Sequence, residues 1–237
     1  MEQLKAQLPA PTNTLNSPDY VTCLDCKGEF TKCVEGGLCL DCRDKARKLK
    51  REAKVNEEFL LSRLGEKGAK EYFFESYEQG SGNIEAYNKL FGFNPLAHNI
   101  YLTGKCGTGK SHLAGAAWRK CLGEGLKCEF IKQPELNRIF RMLEVEAEQK
   151  LLRKFCDFDV LVIDDIGVGK STEHANLVLY EILDMRAMRY KNGIILTSNL
   201  SITEFSNKVQ DDRLPSRISG LCDIVKITST KDYRWEK

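Results

Sequence analysis

One stretch of the chain matches the pattern of a phosphate-binding loop: residues 104–111 read G-x-x-x-x-G-K-S. An apolar run over residues 99–103 precedes it and predicts a buried strand, and residues 112–118 follow with the pattern of an amphipathic helix. In this context backbone N–H groups and the positive end of the helix face the same anion. The predicted nucleotide-binding residues are the loop and the residue after it: Gly104, Lys105, Cys106, Gly107, Thr108, Gly109, Lys110, Ser111 and His112.

The residue types in this loop have chemical reasons. Glycines let N–H groups approach phosphate oxygens without a Cβ in the way. Lys110 has the length to reach the β- and γ-phosphates, and the hydroxyl of Ser111 is a hard oxygen ligand that suits Mg²⁺. We therefore expect ATP and Mg²⁺ as ligands.

The length and composition fit one α/β domain and a smaller module. The chain has 237 residues, 42% hydrophobic and 30% charged, and its net charge of +2 indicates no particular partner. No apolar run approaches the roughly 20 residues of a membrane span. Residues 1–16 lack the pattern of a secretory signal. We expect a cytoplasmic protein without a membrane partner, in which disulfides are uncommon, so the ten cysteines need another explanation.

Four of the cysteines form two C-x-x-C pairs, Cys23 with Cys26 and Cys39 with Cys42. Two such pairs suit a tetrahedral Zn²⁺ site, because each pair makes a tight turn and thiolates are soft ligands. Metal binding would also supply folding free energy to a segment with little apolar sequence. The alternatives are a redox-active pair or unrelated thiols, and Cys33 is a possible substitute for one ligand.

A basic segment follows the cysteines. Residues 43–54 read RDKARKLKREAK, with seven basic and two acidic side chains. They predict a helix that is either a solvated linker or an electrostatic contact to nucleic-acid phosphates. The helical pattern continues to Leu64, and Gly65 and Gly68 then predict a boundary.

A second apolar run, over residues 158–163, ends in Asp164 and Asp165. Such a run predicts a buried parallel strand whose acidic end leaves the sheet, which is the Walker B arrangement. Asp164 is the expected Mg²⁺ ligand beside Ser111. Asp165 is expected to orient the attacking water.

Other elements are predicted from periodicity and flanking residues. We expect a strand over residues 127–132, a long helix over 134–152, a helix over 173–190 and a last strand over 222–228.

Three further catalytic candidates lie after the Walker B strand. Asn199 ends a predicted strand over residues 193–199, and its amide offers both a donor and an acceptor to the γ-phosphate and the water. Arg213 and Arg217 are four residues apart, so they share one face of a short helix if Pro215 permits one. Exposed arginines are usually only solvated, but one of these could stabilise a neighbouring subunit's transferring phosphate.

Together these motifs resemble the AAA+ ATPases of the DnaC/DnaI helicase-loader and IstB group. The matching pieces are GKCGTGKSHLA, VLVIDDIG, IILTSNL, RLPSRI and the terminal DYR, and they cover residues 72–234. The resemblance implies a parallel sheet with the Walker B and sensor strands beside the phosphate-loop strand. It implies a homo-oligomer assembled with ATP, in which Arg217 is the arginine finger and Arg213 a second nucleotide contact. Many AAA+ proteins add a helical lid after the last strand, and we expect none here because the sequence ends soon after its predicted last strand. Many relatives of this class have glutamate at the position of Asp165, so slow turnover is expected.

The fold class expected is therefore α/β, a P-loop AAA+ core with a parallel sheet between helices, preceded by a zinc-binding module and a basic helix. The domain boundaries that we predict are a flexible tail over 1–20, a zinc-binding module over 21–46, a basic helical linker over 47–70 and the AAA+ domain over 71–237.

The resemblance leaves three functions open. The first is a loader that brings a DnaB-type replicative helicase to single-stranded DNA, with the zinc module docking the helicase as in DnaI-type loaders. The second is an IstB-type helper that assembles on duplex DNA and recruits a transposase. The third is an adapter that binds ATP without hydrolysing it. The zinc module favours the first, because IstB-type proteins usually begin with helices.

Overall fold

In the computed structural model, residues 20–22, 29–31, 60–169, 172–188 and 193–233 are described. The chain divides into two compact units, Met1–Arg51 and Glu52–Lys237. In the first unit, strands β1 (Tyr20–Thr22) and β2 (Glu29–Thr31) pair antiparallel. Residues 1–19 of the predicted tail, the zinc ligands and the basic segment over 43–54 lie outside the described residues, so the zinc module and the domain boundaries stay predictions.

The second unit is built from helices and strands that alternate along much of the chain. Among its described residues, the helices are α1 (Leu60–Glu71), α2 (Ile84–Phe91), α3 (Lys110–Gly123), α4 (Gln133–Arg141), α5 (Val145–Cys156), α6 (Glu173–Ala187), α7 (Ile202–Val209) and α8 (Arg213–Leu221). Its strands are β3 (Ile100–Gly104), β4 (Cys128–Lys132), β5 (Val160–Ile166), β6 (Gly193–Ser198) and β7 (Asp223–Ile227).

In the described part of this unit the strands form one parallel sheet in the order β4-β5-β6-β3-β7. Strands β3, β5 and β6 are the inner ones, and their continuous apolar runs are buried because helices cover both faces. The carboxyl ends of parallel strands meet at one edge of the sheet. The phosphate loop after β3, the acids at the end of β5 and Asn199 after β6 therefore all emerge at that edge.

The core has two layers, one on each face of the sheet. On one face, α2 and α3 pack on alternate residues of the strands, and Trp118 of α3 is completely buried there. On the other face, helices α4 to α8 cover the strand residues that point the opposite way, including Leu161 and Ile163 of β5. The predicted α/β class with a parallel sheet between helices is thereby confirmed. One detail of the prediction was wrong: the sensor strand β6 lies beside β3, but the Walker B strand β5 is one strand further away.

The long helix predicted over residues 134–152 was wrong. The structure has two helices, α4 and α5, because the chain leaves the helical conformation at Glu144 (φ −77°, ψ 159°). The break lets Leu152 and Phe155 reach the sheet layer beside Phe140, while Met142 and Val145 remain exposed. No glycine or proline occurs in residues 141–145, so the sequence carried no local signal of a break.

The helix that was predicted to continue to Leu64 extends further in the structure. Gly65 does interrupt the helix, with φ 70° and ψ 171°, but helical backbone continues to Glu71. Gly68 lies inside α1, where a Cβ would crowd Tyr72. Helix α6 ends at Ala187 rather than at residue 190.

Within the residues that the structure describes, no helix combines the length and apolar character that crossing a membrane requires.

Candidate nucleotide-binding site

The phosphate loop connects β3 to α3, and its backbone conformation explains its glycines. Gly107 and Gly109 have φ values of 78° and 88°, in the left-handed region that favours glycine. Lys110 begins α3 and is only 5% exposed. Its Nζ donates hydrogen bonds to the carbonyl oxygens of Gly104 (2.8 Å) and Lys105 (2.7 Å), which hold the ammonium group against the inside of the loop. The loop therefore presents a positive charge and a helix N-terminus at the same place.

The Walker B acid Asp164 is joined to the phosphate loop. Ser111 Oγ donates a hydrogen bond to Asp164 Oδ1 at 2.9 Å, and Thr197 Oγ1 of β6 donates to the same oxygen at 2.6 Å. Asp164 is 1% exposed. Its burial raises its pKa, the Asp165 carboxylate raises it further, and the two hydroxyl donors oppose that rise.

The other oxygen of this carboxylate, Asp164 Oδ2, is buried and accepts no hydrogen bond from the described residues. A buried oxygen of this kind carries a desolvation cost unless a ligand or cation compensates it. With the Ser111 hydroxyl it makes a set of hard oxygen donors that suits Mg²⁺. Mg²⁺ commonly uses one or two protein ligands and completes its shell with phosphates and water. The predicted pair of magnesium ligands therefore fits this arrangement.

Asp165 occupies an unusual backbone position. Its φ is 60°, and its N–H donates to Thr197 Oγ1 at 2.9 Å. Asp is among the few non-glycine residues that are enriched in the left-handed region.

Asn199 and the phosphate loop lie next to each other. Asn199 Nδ2 is 3.9 Å from Cys106 Sγ, a weak donor–acceptor contact between the predicted sensor and the middle of the loop. Cys106 is exposed. The structure therefore brings together the loop, Asp164, Asp165 and Asn199, while their catalytic roles stay predictions.

The two predicted arginines lie on α8, which begins at Arg213 and accommodates Pro215 in its first turn. Backbone N–H groups in the first turn have no helical partner, so proline is tolerated there. Arg213 pairs with Asp211 at 2.8 Å, and Arg217 pairs with Asp184 of α6 at 2.6 Å. Both arginines line a shallow cavity of about 360 Å³, which we call the arginine cavity: Tyr180, Arg213, Ser216, Arg217 and Gly220. No phosphate-loop residue lines this cavity.

His112, the last residue of the predicted nucleotide-binding set, turns its ring toward the segment that precedes α2. The ring centroid lies 5.3 Å from that of Tyr72 and 5.2 Å from that of Tyr77. Its Nε2 is 2.7 Å from the carbonyl oxygen of Phe73, which can only accept, so we infer that Nε2 carries the proton. Burial lowers the pKa of His112 and favours the neutral ring.

Some residues that contact the loop were not given a role from the sequence. Tyr77 donates from its hydroxyl to the carbonyl oxygen of Thr108 at 3.3 Å, and burial raises its pKa. Near the C-terminus, Tyr233 N donates to the carbonyl oxygen of Gly107 at 3.2 Å, and the carboxylate of Asp232 lies against the Cα of Gly107. Thr197 was also given no role from the sequence: it contacts the two acids after the apolar run of β5 rather than the loop, and its local signal was a hydroxyl inside a buried strand.

The zinc prediction cannot be placed in the structure, since Cys23, Cys26, Cys39 and Cys42 lie outside the described residues. In the ranges that are described, no group of three or more His, Cys, Asp or Glu side chains is arranged to hold a metal ion.

A phosphate loop after the inner strand β3, a Walker B acid hydrogen-bonded to the serine of that loop, and a parallel sheet of this order define an ATP-binding P-loop protein of the AAA+ class. The family of IstB-like ATP binding proteins matches residues 46–236. The chain belongs to this family.

Two curated relatives show the range of the similarity. An insertion-sequence ATP-binding protein, that of IS5376 from Geobacillus stearothermophilus, is 35% identical over 118 residues, covering 49% of this chain and 46% of the relative. The replicative helicase loader DnaC of Escherichia coli K12 is 27% identical over 154 residues, covering 61% of this chain and 62% of the relative. Each match spans less than two thirds of the relative's own length.

Solved structures support the fold. A replication initiator DnaA bound to AMPPCP and single-stranded DNA matches with a TM-score of 0.60 and 25% identity, over 70% of this chain and 52% of that one. The DnaC helicase loader matches with a TM-score of 0.56 and 21% identity, over 66% of this chain and 97% of that one. The resemblance to the DnaC/DnaI and IstB group and the AAA+ fold are confirmed, and the family and fold support the prediction of an ATPase.

Proposed function

We propose that this protein hydrolyses ATP and uses the nucleotide cycle to load a DnaB-type replicative helicase onto single-stranded DNA. The observation that carries the ATPase part is the hydrogen bond from Ser111 to Asp164, because it joins the phosphate loop to the metal-binding acid. The similarity to the helicase loader DnaC supports the loading part.

In the proposed reaction Lys110 binds the β- and γ-phosphates, and the N–H groups of the loop bind their remaining oxygens. Ser111 and Asp164 hold the Mg²⁺ ion, which when bound offsets negative charge on the phosphate oxygens. Asp165 orients the attacking water, and Asn199 contacts the γ-phosphate. The short side chain of Asp165 makes turnover slow.

The arginine cavity supplies the contact to a second copy of the chain. Arg217 is the finger that stabilises charge on the neighbour's transferring phosphate, and Arg213 is the second nucleotide contact. ATP therefore bridges two copies and favours a homo-oligomer. The position of both arginines on a cavity separate from the phosphate loop supports this geometry.

In the unit that precedes the AAA+ core, Zn²⁺ is held by Cys23, Cys26, Cys39 and Cys42, and this module docks the helicase. Residues 43–54 follow it with seven basic side chains, which suit contacts to the phosphates of single-stranded DNA. The protein acts in the cytoplasm, where the helicase works.

A second candidate is an ATP-dependent helper of DNA transposition. The observation that favours it is the match to the IS5376 ATP-binding protein, which at 35% has the higher identity of the two relatives. In that function the same ATP site drives assembly on duplex DNA, and the partner is a transposase.

The test is a capture experiment with the full chain, a DnaB-type helicase hexamer and circular single-stranded DNA, with ATP or without nucleotide. We expect ATP-dependent transfer of the helicase to the circle. Lys110→Ala should abolish ATP binding and transfer, because the phosphates lose their main side-chain partner. Lys208→Ala is the matched control, since it removes an exposed lysine with no assigned role.

Other outcomes separate the candidates. Assembly on duplex DNA with the transposase encoded nearby, and no helicase transfer, would replace the loader by the transposition helper. Helicase transfer with ATP binding but no phosphate release would support the adapter, which binds ATP without hydrolysing it. Unchanged Mg²⁺-ATP affinity in Lys110→Ala would remove the basis of all three.

A further inference from the structure

Strand β5 contains a bulge at its functional end. Ile163 pairs with Leu196 of β6, but the next pair is Ile166 with Ser198, so Asp164 and Asp165 together face one residue of β6. That residue is Thr197. A bulge of this kind leaves a residue unpaired, and its backbone groups need other partners.

The hydroxyl of Thr197 forms a hydrogen bond with each of the two acids in the bulge. Its oxygen accepts the N–H of Asp165 at 2.9 Å, and its proton is donated to Asp164 Oδ1 at 2.6 Å. A hydroxyl has one proton and two acceptor lone pairs, so both bonds exist at once. Thr197 is 0% exposed, so it acts on the site through the two acids rather than by touching a nucleotide.

The two carboxylate oxygens of Asp164 therefore differ in their hydrogen bonding. Oδ1 accepts from both Thr197 and Ser111, whereas Oδ2 is buried with no hydrogen-bond partner among the described residues. Two donors on one oxygen fix the carboxylate's rotation. That rotation keeps Oδ2 available to a cation or to a water bound to it.

We propose that Thr197 is a positioning residue for the magnesium site, which orients Asp164 and anchors the backbone of Asp165 through a single hydroxyl. The proposal rests on the proposed Mg²⁺-ATP function. Residues that orient metal ligands in this way typically change metal affinity by about 10- to 100-fold when they are removed.

The test measures binding rather than turnover. A fluorescent ATP analogue is titrated into the full chain without Mg²⁺ and then over a range of Mg²⁺ concentrations. Thr197→Val keeps the shape of the side chain and removes the hydroxyl. We expect its affinity without Mg²⁺ to match the wild type, and its half-saturating Mg²⁺ concentration to rise about 10- to 100-fold. Thr197→Ser keeps the hydroxyl and should stay close to the wild type.

Ser198→Ala is the matched control. Ser198 is the next residue of β6 and is equally buried, but its hydroxyl bonds the backbone carbonyl of Ile166 and accepts from the N–H of Leu200. Its loss removes a buried hydroxyl without touching Asp164, so the Mg²⁺ requirement should not change. Thermal unfolding of each variant separates lost stability from lost metal affinity.

Several outcomes would overturn the proposal. A folded Thr197→Val variant with the wild-type Mg²⁺ requirement would do so. So would an equal increase in Ser198→Ala, which would show a general effect of strand β6. If Thr197→Val does not fold, an increase of the same size in Thr197→Ser would show that the hydroxyl is not responsible. If nucleotide binding by the wild type does not depend on Mg²⁺ at all, the proposed Mg²⁺-ATP function itself is wrong.

Discussion

Arg217 and Asp184 form an ion pair, with 2.6 Å between Nη2 and Oδ1, which joins α8 to α6 at the edge of the arginine cavity. The Arg217 side chain is 32% exposed, whereas that of Arg213 is 72% exposed beside Asp211. A partly exposed pair of this kind contributes on the order of 1 kcal/mol or less. Arg217 can therefore exchange Asp184 for a more highly charged phosphate at small cost.

The first prediction concerns the finger. Arg217→Ala should bind ATP normally, because its own phosphate loop is complete, and should fail to hydrolyse ATP. Arginine fingers change rates by roughly 10³ to 10⁵ where chemistry limits turnover, and a slow ATPase will show less. Mixing Arg217→Ala with Lys110→Ala, each inactive alone, should restore some phosphate release, because an intact pocket can then meet an intact finger.

Two further variants act as controls for this prediction. Asp184→Asn removes the charge that holds Arg217 but keeps the finger, so it should retain hydrolysis. Arg213→Ala should weaken nucleotide-dependent assembly without abolishing hydrolysis. If Arg217→Ala hydrolyses ATP normally, or if a mixture that is shown to co-assemble does not regain phosphate release, the finger role is reassigned to Arg213.

The elements nearest the site were the most predictable from the sequence. Strands β3 and β5 were located closely because each is a buried apolar run that ends at a glycine or an acid. The break between α4 and α5 could not be seen, since it has no glycine or proline and is determined by packing of Phe155 onto the sheet.

The candidate site was predictable in its motifs and not in its connections. The pattern of the loop indicated Lys110 and Ser111 because phosphate binding restricts residue types at fixed spacing. The role of Thr197 depends on the register of β5 against β6, and the contact of Asp232 with Gly107 joins distant parts of the chain. Strand register and long-range contacts arise from the whole fold, so no local sequence pattern predicts them.

The second prediction concerns zinc. If Cys23, Cys26, Cys39 and Cys42 are the ligands, the purified protein should contain about one Zn²⁺ per chain. Cys39→Ser should unfold the first unit and leave ATP binding intact, because the AAA+ core has its own hydrophobic clusters. Metal content is measured by atomic spectroscopy, and the unfolding of the first unit by limited proteolysis.

Cys33→Ser is the control for the zinc ligands. It should keep the full metal content, because Cys33 stands outside the two C-x-x-C pairs. Metal loss in Cys33→Ser would assign it as a ligand. Undiminished zinc after all four paired cysteines are changed to serine would show that the site is elsewhere.

The last prediction concerns the contact between the phosphate loop and the C-terminal segment. A Cβ on Gly107 would overlap the carboxylate of Asp232, and the residue's φ of 78° disfavours any side chain by about 1 to 2 kcal/mol. Gly107→Ala should therefore displace Asp232, lose the hydrogen bond from Tyr233, lower the melting temperature and weaken ATP binding. Gly123→Ala is the control: it ends α3 with no atom near its added Cβ, so stability should stay the same or rise slightly. Combining Gly107→Ala with Asp232→Ala removes the overlap but not the backbone strain, so the double variant should recover part of the lost stability. If the double variant is no more stable than Gly107→Ala alone, the overlap with Asp232 contributes nothing, and the glycine is required for its backbone conformation only.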